Sequence, residues 1–283
     1  MIELLLSPFN FDFMINAFLI ISIISFPTAL LSCYLVLKGW SLMGDAISHA
    51  VLPGIVIAYI VKIPLIIGAF FAGLFCSIIS GFIYKNSRIK QDTVLGIVFS
   101  GMFGLGIILI TKIPTNVHLD HILFGNILGI SSEDIILNGF ISALVAIILI
   151  IKRKDLMLYS FDEVQANALG LRINLLNYLL LSMISLTVVS TLSSVGLILS
   201  IGLLITPGAI VFLITKEFEK MLFFSVLITI LSGFFGVYLS FFIDSAPAPT
   251  VIMVLTIIFL ITLLFSIFKN RINERQVKFY RYK

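Results

Sequence analysis

The chain has 283 residues, of which 60% are hydrophobic and 11% charged, and its formal net charge is +4. A soluble domain carries about 25% charged residues, so this composition excludes a soluble fold and predicts a polytopic membrane protein. The basic residues cluster at loop positions beside apolar runs, and they therefore do not indicate nucleic-acid binding.

Apolar runs of the length that a bilayer-spanning helix requires, about 20 residues, recur from end to end. Short segments of alternating polarity, typical of outer-membrane barrels, are absent from the sequence, so the predicted fold is all-α. We expect nine spans, at 13–37, 41–61, 64–84, 93–111, 135–151, 175–193, 195–215, 221–243 and 250–268. Eight spans result instead if the region 193–202 bends back. Together they make 1–283 a single transmembrane domain.

Lys and Arg residues determine the predicted orientation, because short cytoplasmic loops carry their excess. On this span map sixteen of the 18 Lys and Arg residues fall on one side, and only Lys62 and Lys112 fall on the other. We therefore expect an external amino terminus and a cytoplasmic carboxyl terminus. The basic tail from Lys269 would lie on anionic lipid headgroups.

The stretch 39–54 departs from the apolar composition on either side of it, because it contains an aspartate and a histidine. Asp45 and His49 are four residues apart and would lie on one face of a helix. An ionisable residue inside a span is a candidate functional site, and a carboxylate with an imidazole suits Mn²⁺, Fe²⁺ or Zn²⁺. Small or polar residues surround the pair, as a water-lined path would allow: Ser41, Gly44 and Ser48.

Two ligands are too few for tight capture, and loose coordination is what a conduction path requires, since the ion must also leave. The alternative is a hydrogen bond between Asp45 and His49 that only holds helices together. On the span map Asp45 lies near the cytoplasmic end of its helix. Either that helix starts earlier, at 33–37, or the site lies deeper inside than a mid-membrane position.

The external connection 112–134 is too long for a simple turn and contains His118, Asp120 and His121. These residues would form a metal-collecting cluster, or they are only solvated residues of a loop.

The cytoplasmic connection 152–174 is also long. Asp162 is placed to cap the amino terminus of a helix, and Gly170 stands where that helix would stop. A short helix between two spans suits contact with another protein, and the alternative is a surface connector.

A weak internal repeat appears at a separation of 154 residues, where Pro53-Gly54 aligns with Pro207-Gly208. The predicted orientation has the first copy leaving the cytoplasm and the second entering it. Interrupted helices at corresponding positions of two halves would indicate an inverted repeat. A chance coincidence of two Pro-Gly pairs is the alternative.

Several enzyme motifs are missing from the sequence. It contains no Gly-Lys pair, and hence no phosphate-binding loop of the Walker A type, so the chain cannot itself be a P-loop ATPase. It also has no His-Glu-x-x-His and no Gly-x-Ser-x-Gly motif.

The run 42–54 resembles the signature of the ABC-3 family, the membrane permeases of bacterial manganese, zinc and iron ABC importers. The resemblance covers almost the whole chain. Its further motifs are residues 123–128, Asp162, Ala166 and Gly170, Gly196, and 202–204 with Pro207.

The resemblance implies a homodimeric permease in a bacterial cell membrane. Two separate ATPase subunits would bind its cytoplasmic face, and an extracytoplasmic binding protein would deliver the metal. The chain itself would be a transport subunit and not an enzyme. It would hold no permanent cofactor, because the divalent metal is its cargo.

The resemblance also assigns roles to residues of this chain. Asp45 and His49 would be the metal ligands of the translocation path. The segment 161–171, with Asp162, Ala166 and Gly170, would be the coupling helix that sits in a groove of the ATPase. The run 121–126 is closer to manganese-type members, so we expect Mn²⁺ before Zn²⁺ or Fe²⁺.

Two other classes of protein remain as alternatives. A stand-alone secondary metal transporter driven by a proton gradient would need no ATPase, and 161–171 would then be an idle connector. An intramembrane enzyme would pair Asp45 with a second acid, which the missing motifs disfavour.

Overall fold

A computed structural model describes residues 6–112 and 127–281, with side chains as far as residue 269. The described residues form twelve α-helices and two short 3₁₀ helices, Ser7–Asn10 and Ile127–Gly129. The α-helices are α1 (Asp12–Lys38), α2 (Met43–Ala50), α3 (Leu52–Val61), α4 (Leu65–Asn86), α5 (Gln91–Lys112), α6 (Ser132–Ile151), α7 (Arg153–Phe161), α8 (Glu163–Ala168), α9 (Ile173–Val195), α10 (Leu197–Ile214), α11 (Phe218–Ile243) and α12 (Pro247–Arg281). His118, Asp120 and His121 lie outside the described residues, as does most of the motif 123–128.

Within the described residues, nine helical segments are long and apolar enough to cross a membrane, which confirms the prediction of an all-α polytopic protein with nine spans. The spans are α1, α2 with α3, α4, α5, α6, α9, α10, α11 and the 247–269 part of α12. Only Gly196 separates α9 from α10, and the two helices are separate spans.

Helix α1 lies at the centre of the bundle, where it packs against α6, α10 and α11. The two large clusters of buried apolar side chains both include residues of α1. In contrast, α5 and the spanning part of α12 are mostly exposed, which is expected of helices that face lipid or a second subunit.

The predicted second span consists of two helices, α2 and α3, that meet at Val51. Pro53 lies in the first turn of α3 and has no N–H, so the carbonyl of His49 loses its usual partner and the helix is interrupted there. The alternative in which this helix starts at 33–37 is wrong, because those residues belong to α1, which ends at Lys38. Asp45 therefore lies in the first turn of α2.

A crossing of two glycines fixes α3 against α4. A Cβ atom added to Gly68 would lie 2.2 Å from the carbonyl oxygen of Gly54, and one added to Gly54 would lie 2.1 Å from that of Gly68. Helices approach this closely only where neither residue carries a side chain. This crossing holds the carboxyl-terminal half of the second span in place.

Replacing Gly68 by alanine is therefore expected to destabilise the protein by about 1–3 kcal/mol, the range for overpacking a well-packed core. Gly81→Ala in the same helix is the matched control, since an added Cβ there has nothing within 4 Å. Thermal unfolding in detergent would compare the two variants. Equal melting temperatures would show that α3 and α4 separate easily and that the crossing is not tight.

Both Pro-Gly pairs place a glycine at a close helix crossing, but only Pro53-Gly54 lies next to a break in its helix. Gly208 crosses α1, where an added Cβ would lie 2.4 Å from the carbonyl oxygen of Ser32, much as Gly54 crosses α4. However, α10 runs unbroken through Pro207, whereas Pro53 follows a break. The inverted repeat stays a prediction.

Candidate functional site

Asp45 and His49 lie together on one face of α2. His49 Nε2 is 3.5 Å from Asp45 Oδ1, and the two side chains are 29% and 33% exposed. Helical spacing brings the pair together, and the remaining exposure leaves both groups open to a third species. The pair therefore offers one carboxylate and one imidazole from adjacent turns.

Two phenylalanines of α5 enclose the imidazole of His49. The ring of Phe99 lies nearly parallel to it, with centroids 5.7 Å apart, and the ring of Phe103 meets it edge-on at 5.3 Å. These contacts restrict the imidazole and keep its surroundings apolar. The sequence analysis missed both residues, because nothing distinguishes them locally among the 26 phenylalanines of the chain.

Gly44 and Ser48 face the interior of the bundle. A Cβ added to Gly44 would lie 3.1 Å from a methyl group of Leu204. Ser48 is 3% exposed, and its hydroxyl donates to the carbonyl oxygen of Gly44 at 2.8 Å. The expectation that these two residues line a water-filled path is wrong. Gly44 packs α2 against α10 and Ser48 is buried beside it on the same helix, while Ser41 is half-buried in the turn before α2.

The back of α2 also contacts α4, so that Asp45 and His49 stand on a tightly packed support. A Cβ added to Gly73 would lie 2.9 Å from the side chain of Ile47. Ile47 and Leu204 are fully buried. Ligands held by packed neighbours keep their geometry better than ligands on a loop.

Among the described residues, no group of three or more His, Cys, Asp or Glu side chains is placed to hold a metal ion. If Asp45 and His49 bind a metal ion, they supply two protein ligands, and the other coordination positions are left to other donors. Oxygen and nitrogen ligands of this kind suit Mn²⁺, Fe²⁺ and Zn²⁺.

The segment 152–174, which we predict to be cytoplasmic, contains the short helix α8. The Asp162 carboxylate caps it by accepting hydrogen bonds from the N–H groups of Val164 and Gln165, at 2.9 and 3.0 Å. Gly170 ends the turn with φ +78°, a left-handed conformation that a β-branched residue adopts only with strain. Ala166 is fully buried on the side that faces the bundle.

Three apolar side chains of this segment point away from the bundle: Phe161, Val164 and Leu169 are 80%, 80% and 67% exposed. The sequence analysis named Asp162, Ala166 and Gly170 in this segment, and the structure shows these three shaping it. The large apolar side chains on the exposed surface are Phe161, Val164 and Leu169, which we call the apolar triad. The available sequence signal was the presence of three large apolar residues among the polar residues of a short connecting segment.

Comparison with known proteins adds an independent result. The model of the ABC 3 transport family matches residues 10–266. A probable iron transport system membrane protein of Haemophilus influenzae is 51% identical, over 94% of this chain and 98% of its own. A manganese transport system membrane protein of Synechocystis is 45% identical, over 92% of this chain and 85% of its own.

Two solved structures have the same architecture. The structure of PsaBC from Streptococcus pneumoniae in complex with Fab superposes with a TM-score of 0.83 at 35% identity, covering 93% of this chain and 95% of that one. An inward-facing conformation of a putative metal-chelate type ABC transporter superposes with a TM-score of 0.66 at 16% identity, covering 90% and 86%. The second likeness concerns the fold alone.

Proposed function

This chain belongs to the ABC 3 transport family and is a multi-pass membrane permease of a metal-transport system, and from that premise we propose that it imports Mn²⁺ at the expense of ATP. The observation that carries the proposal is the pair Asp45 and His49, which lie 3.5 Å apart and partly exposed on one face of a spanning segment. Placing a carboxylate in a span costs several kcal/mol, and a passing cation offsets that cost.

The choice of metal follows from ligand chemistry and from the relatives. One carboxylate and one imidazole suit Mn²⁺, Fe²⁺ and Zn²⁺ about equally, and selectivity in cells often follows availability. The relatives reported above are named for iron and for manganese transport. We place Mn²⁺ first, with Fe²⁺ and Zn²⁺ as competitors.

The proposal includes the partners of such a permease. ATPase subunits would dock on the cytoplasmic face through the apolar triad on the segment 161–171, since an exposed apolar patch rimmed by polar residues marks a protein interface. An extracytoplasmic protein would deliver the ion, and two copies of the chain would form the permease. This arrangement places the carboxyl terminus in the cytoplasm, in agreement with the excess of Lys and Arg on that side.

In this proposal, closure of the ATPase dimer drives the conformational change that transports the ion. When ATP closes the ATPase dimer, α8 moves with the groove that holds it, and the spans rock between outward and inward states. Asp45 and His49 bind the ion in one state and release it in the other. Loose, two-ligand binding by each chain permits the release.

Metal content of cells tests this proposal. Cells that lack their own importers would express the chain with its candidate ATPase and binding protein, and elemental analysis would compare manganese, iron and zinc. We expect manganese to rise at least about tenfold and to depend on the ATPase. A rise in iron or zinc alone would overturn the choice of metal, and no rise in any metal from an assembled complex would overturn metal import.

The same cells address the secondary-transporter alternative. Expression of the chain without the ATPase would still raise the metal content if a proton gradient drove transport. The exposed apolar triad argues against that alternative, because an idle connector has no need of three apolar side chains that are each at least 67% exposed.

A further inference from the structure

The side chain of Lys38, the last residue of α1, is buried, although a lysine at the end of a membrane span would normally extend into water. Its side chain is only 6% exposed, and its Nζ contacts Oε1 of Glu163, the first residue of α8. The same Nζ lies 3.5 Å from the centre of the Tyr159 ring and 4.9 Å from that of Trp40. A buried ammonium is costly unless it is compensated. Here one carboxylate and two aromatic faces compensate it.

These partners come from separate parts of the protein. Glu163 and Tyr159 belong to the cytoplasmic segment, on α8 and α7, whereas Trp40 lies in the turn between α1 and α2. The hydroxyl of Tyr159 donates in turn to Oδ1 of Asn177 on α9, at 2.8 Å. The Lys38 cluster (Lys38, Trp40, Tyr159 and Glu163) therefore joins the cytoplasmic segment to the entrance of α2.

The turn that follows Lys38 is short and well ordered by hydrogen bonds. Gly39 has φ 69°, and the N–H of Trp40 donates back to the carbonyl oxygen of Leu35 at 2.8 Å. The N–H of Met43 then donates to the carbonyl oxygen of Trp40 at 3.0 Å. Asp45 follows in the first turn of α2. A displacement of Lys38 is thus passed to Asp45 through a connection that has little freedom to absorb it.

The two faces of α8 complete the path. Phe161 and Val164 flank Glu163 and are each 80% exposed, so they are free to follow an ATPase. The cap provided by Asp162 holds the first turn together, and Glu163 within that turn binds Lys38. Movement of the exposed side of α8 therefore moves the partner of Lys38.

We propose that Lys38 is a positioning residue that transmits displacement of α8 to Asp45, and so couples ATP binding to the metal ligands. This inference rests on the proposed function, because it assumes that an ATPase moves the segment 161–171. Its role is separate from docking, since Lys38 is buried and the apolar triad is exposed.

Three variants in the full complex, reconstituted into vesicles, test the transport consequence. Lys38→Met keeps an apolar stem without the charge, and Lys38→Arg keeps the charge. Lys220→Met is the matched control, because Lys220 pairs with Glu217 at 2.9 Å while both side chains are more than half exposed. We expect Lys38→Met to bind the ATPase normally and to move at least tenfold less Mn²⁺ per ATP hydrolysed. Lys38→Arg should stay within about twofold of the wild type, and Lys220→Met should equal it.

A wild-type ratio of Mn²⁺ to ATP in Lys38→Met would overturn the proposal. Loss of ATPase binding in that variant would also overturn it, because Lys38 would then act in docking. Should Lys38→Met fold poorly, the double variant Lys38→Met with Glu163→Gln removes both charges and leaves no unpaired carboxylate. The same tenfold loss is expected of it.

The fluorescence of Trp40 gives a readout that does not depend on transport, because Trp40 is the only tryptophan of the chain. The complex would be assembled with an ATPase whose tryptophans are replaced by phenylalanine. A non-hydrolysable ATP analogue should then change the Trp40 emission in the wild type and in Lys38→Arg, but not in Lys38→Met. An equal change in Lys38→Met would refute transmission, whereas a wild type that shows the change but moves no metal would refute only the proposed function.

Discussion

Asp45→Asn is expected to lower Mn²⁺ uptake about 10- to 100-fold or more. Mutation of a residue that only hydrogen-bonds to a metal ligand already lowers metal affinity by about this factor. The substitution keeps the size of the side chain but removes the only anionic group of the pair at 3.5 Å. His49→Gln is expected to act in the same direction by removing the imidazole. Uptake in vesicles with ATPase and binding protein would measure both, together with the amount of assembled complex.

Asp244→Asn is the matched control for this change. Asp244 is exposed at the end of α11, with φ 55°, a left-handed conformation that asparagine also adopts readily. We expect normal uptake from this variant. If Asp45→Asn and His49→Gln also transport normally, the pair is not the metal site and only holds α2 in place.

Replacing Phe161 and Val164 together by serine should abolish binding of the ATPase. Each side chain is 80% exposed in the isolated chain, and truncating a central apolar contact costs about 2 kcal/mol or more. Two such losses weaken binding about 10³-fold. Co-purification of the ATPase and metal-dependent ATP hydrolysis would both be lost, while the melting temperature of the permease should change little because neither residue is buried.

Ile89→Ser provides the comparison for the triad variant. Ile89 is 43% exposed in the connection between α4 and α5, outside the segment 161–171. Its substitution removes an exposed apolar side chain on the same side of the membrane as the segment 161–171. ATPase binding should persist in this variant. Retained binding in the Phe161 and Val164 variant would place the docking surface elsewhere and would favour the idle-connector interpretation.

The sequence predicted those features that depend on neighbours along the chain. Hydropathy over about 20 residues determines whether a segment can span a bilayer, so nine spans followed from composition and length, and the structure has nine among its described residues. Helical periodicity placed Asp45 and His49 on one face. The cap by Asp162 and the stop at Gly170 followed equally from local backbone chemistry.

The same reasoning failed where the packing partner decides the outcome. Gly44 and Ser48 are small and close to Asp45, yet Gly44 packs against Leu204 of α10 and Ser48 is buried, so neither faces a water path. Composition alone does not show which face of α2 meets another helix, because a small residue suits a tight helix crossing as well as a polar channel.

Only the tertiary structure determined which side chains surround His49 and which segment contacts Lys38. Phe99 and Phe103 enclose His49 although they lie on another span, and Glu163 meets Lys38 across 125 positions of sequence. The sequence by itself determined the spans, the placement of Asp45 and His49 on one helix face, and the cap by Asp162, because hydropathy, helical period and capping act within a few turns. Helix packing determined the contacts of Phe99 and Phe103 with His49, the inward face of α2 and the burial of the Lys38 side chain. These features depend on which helices meet and at which positions along their lengths.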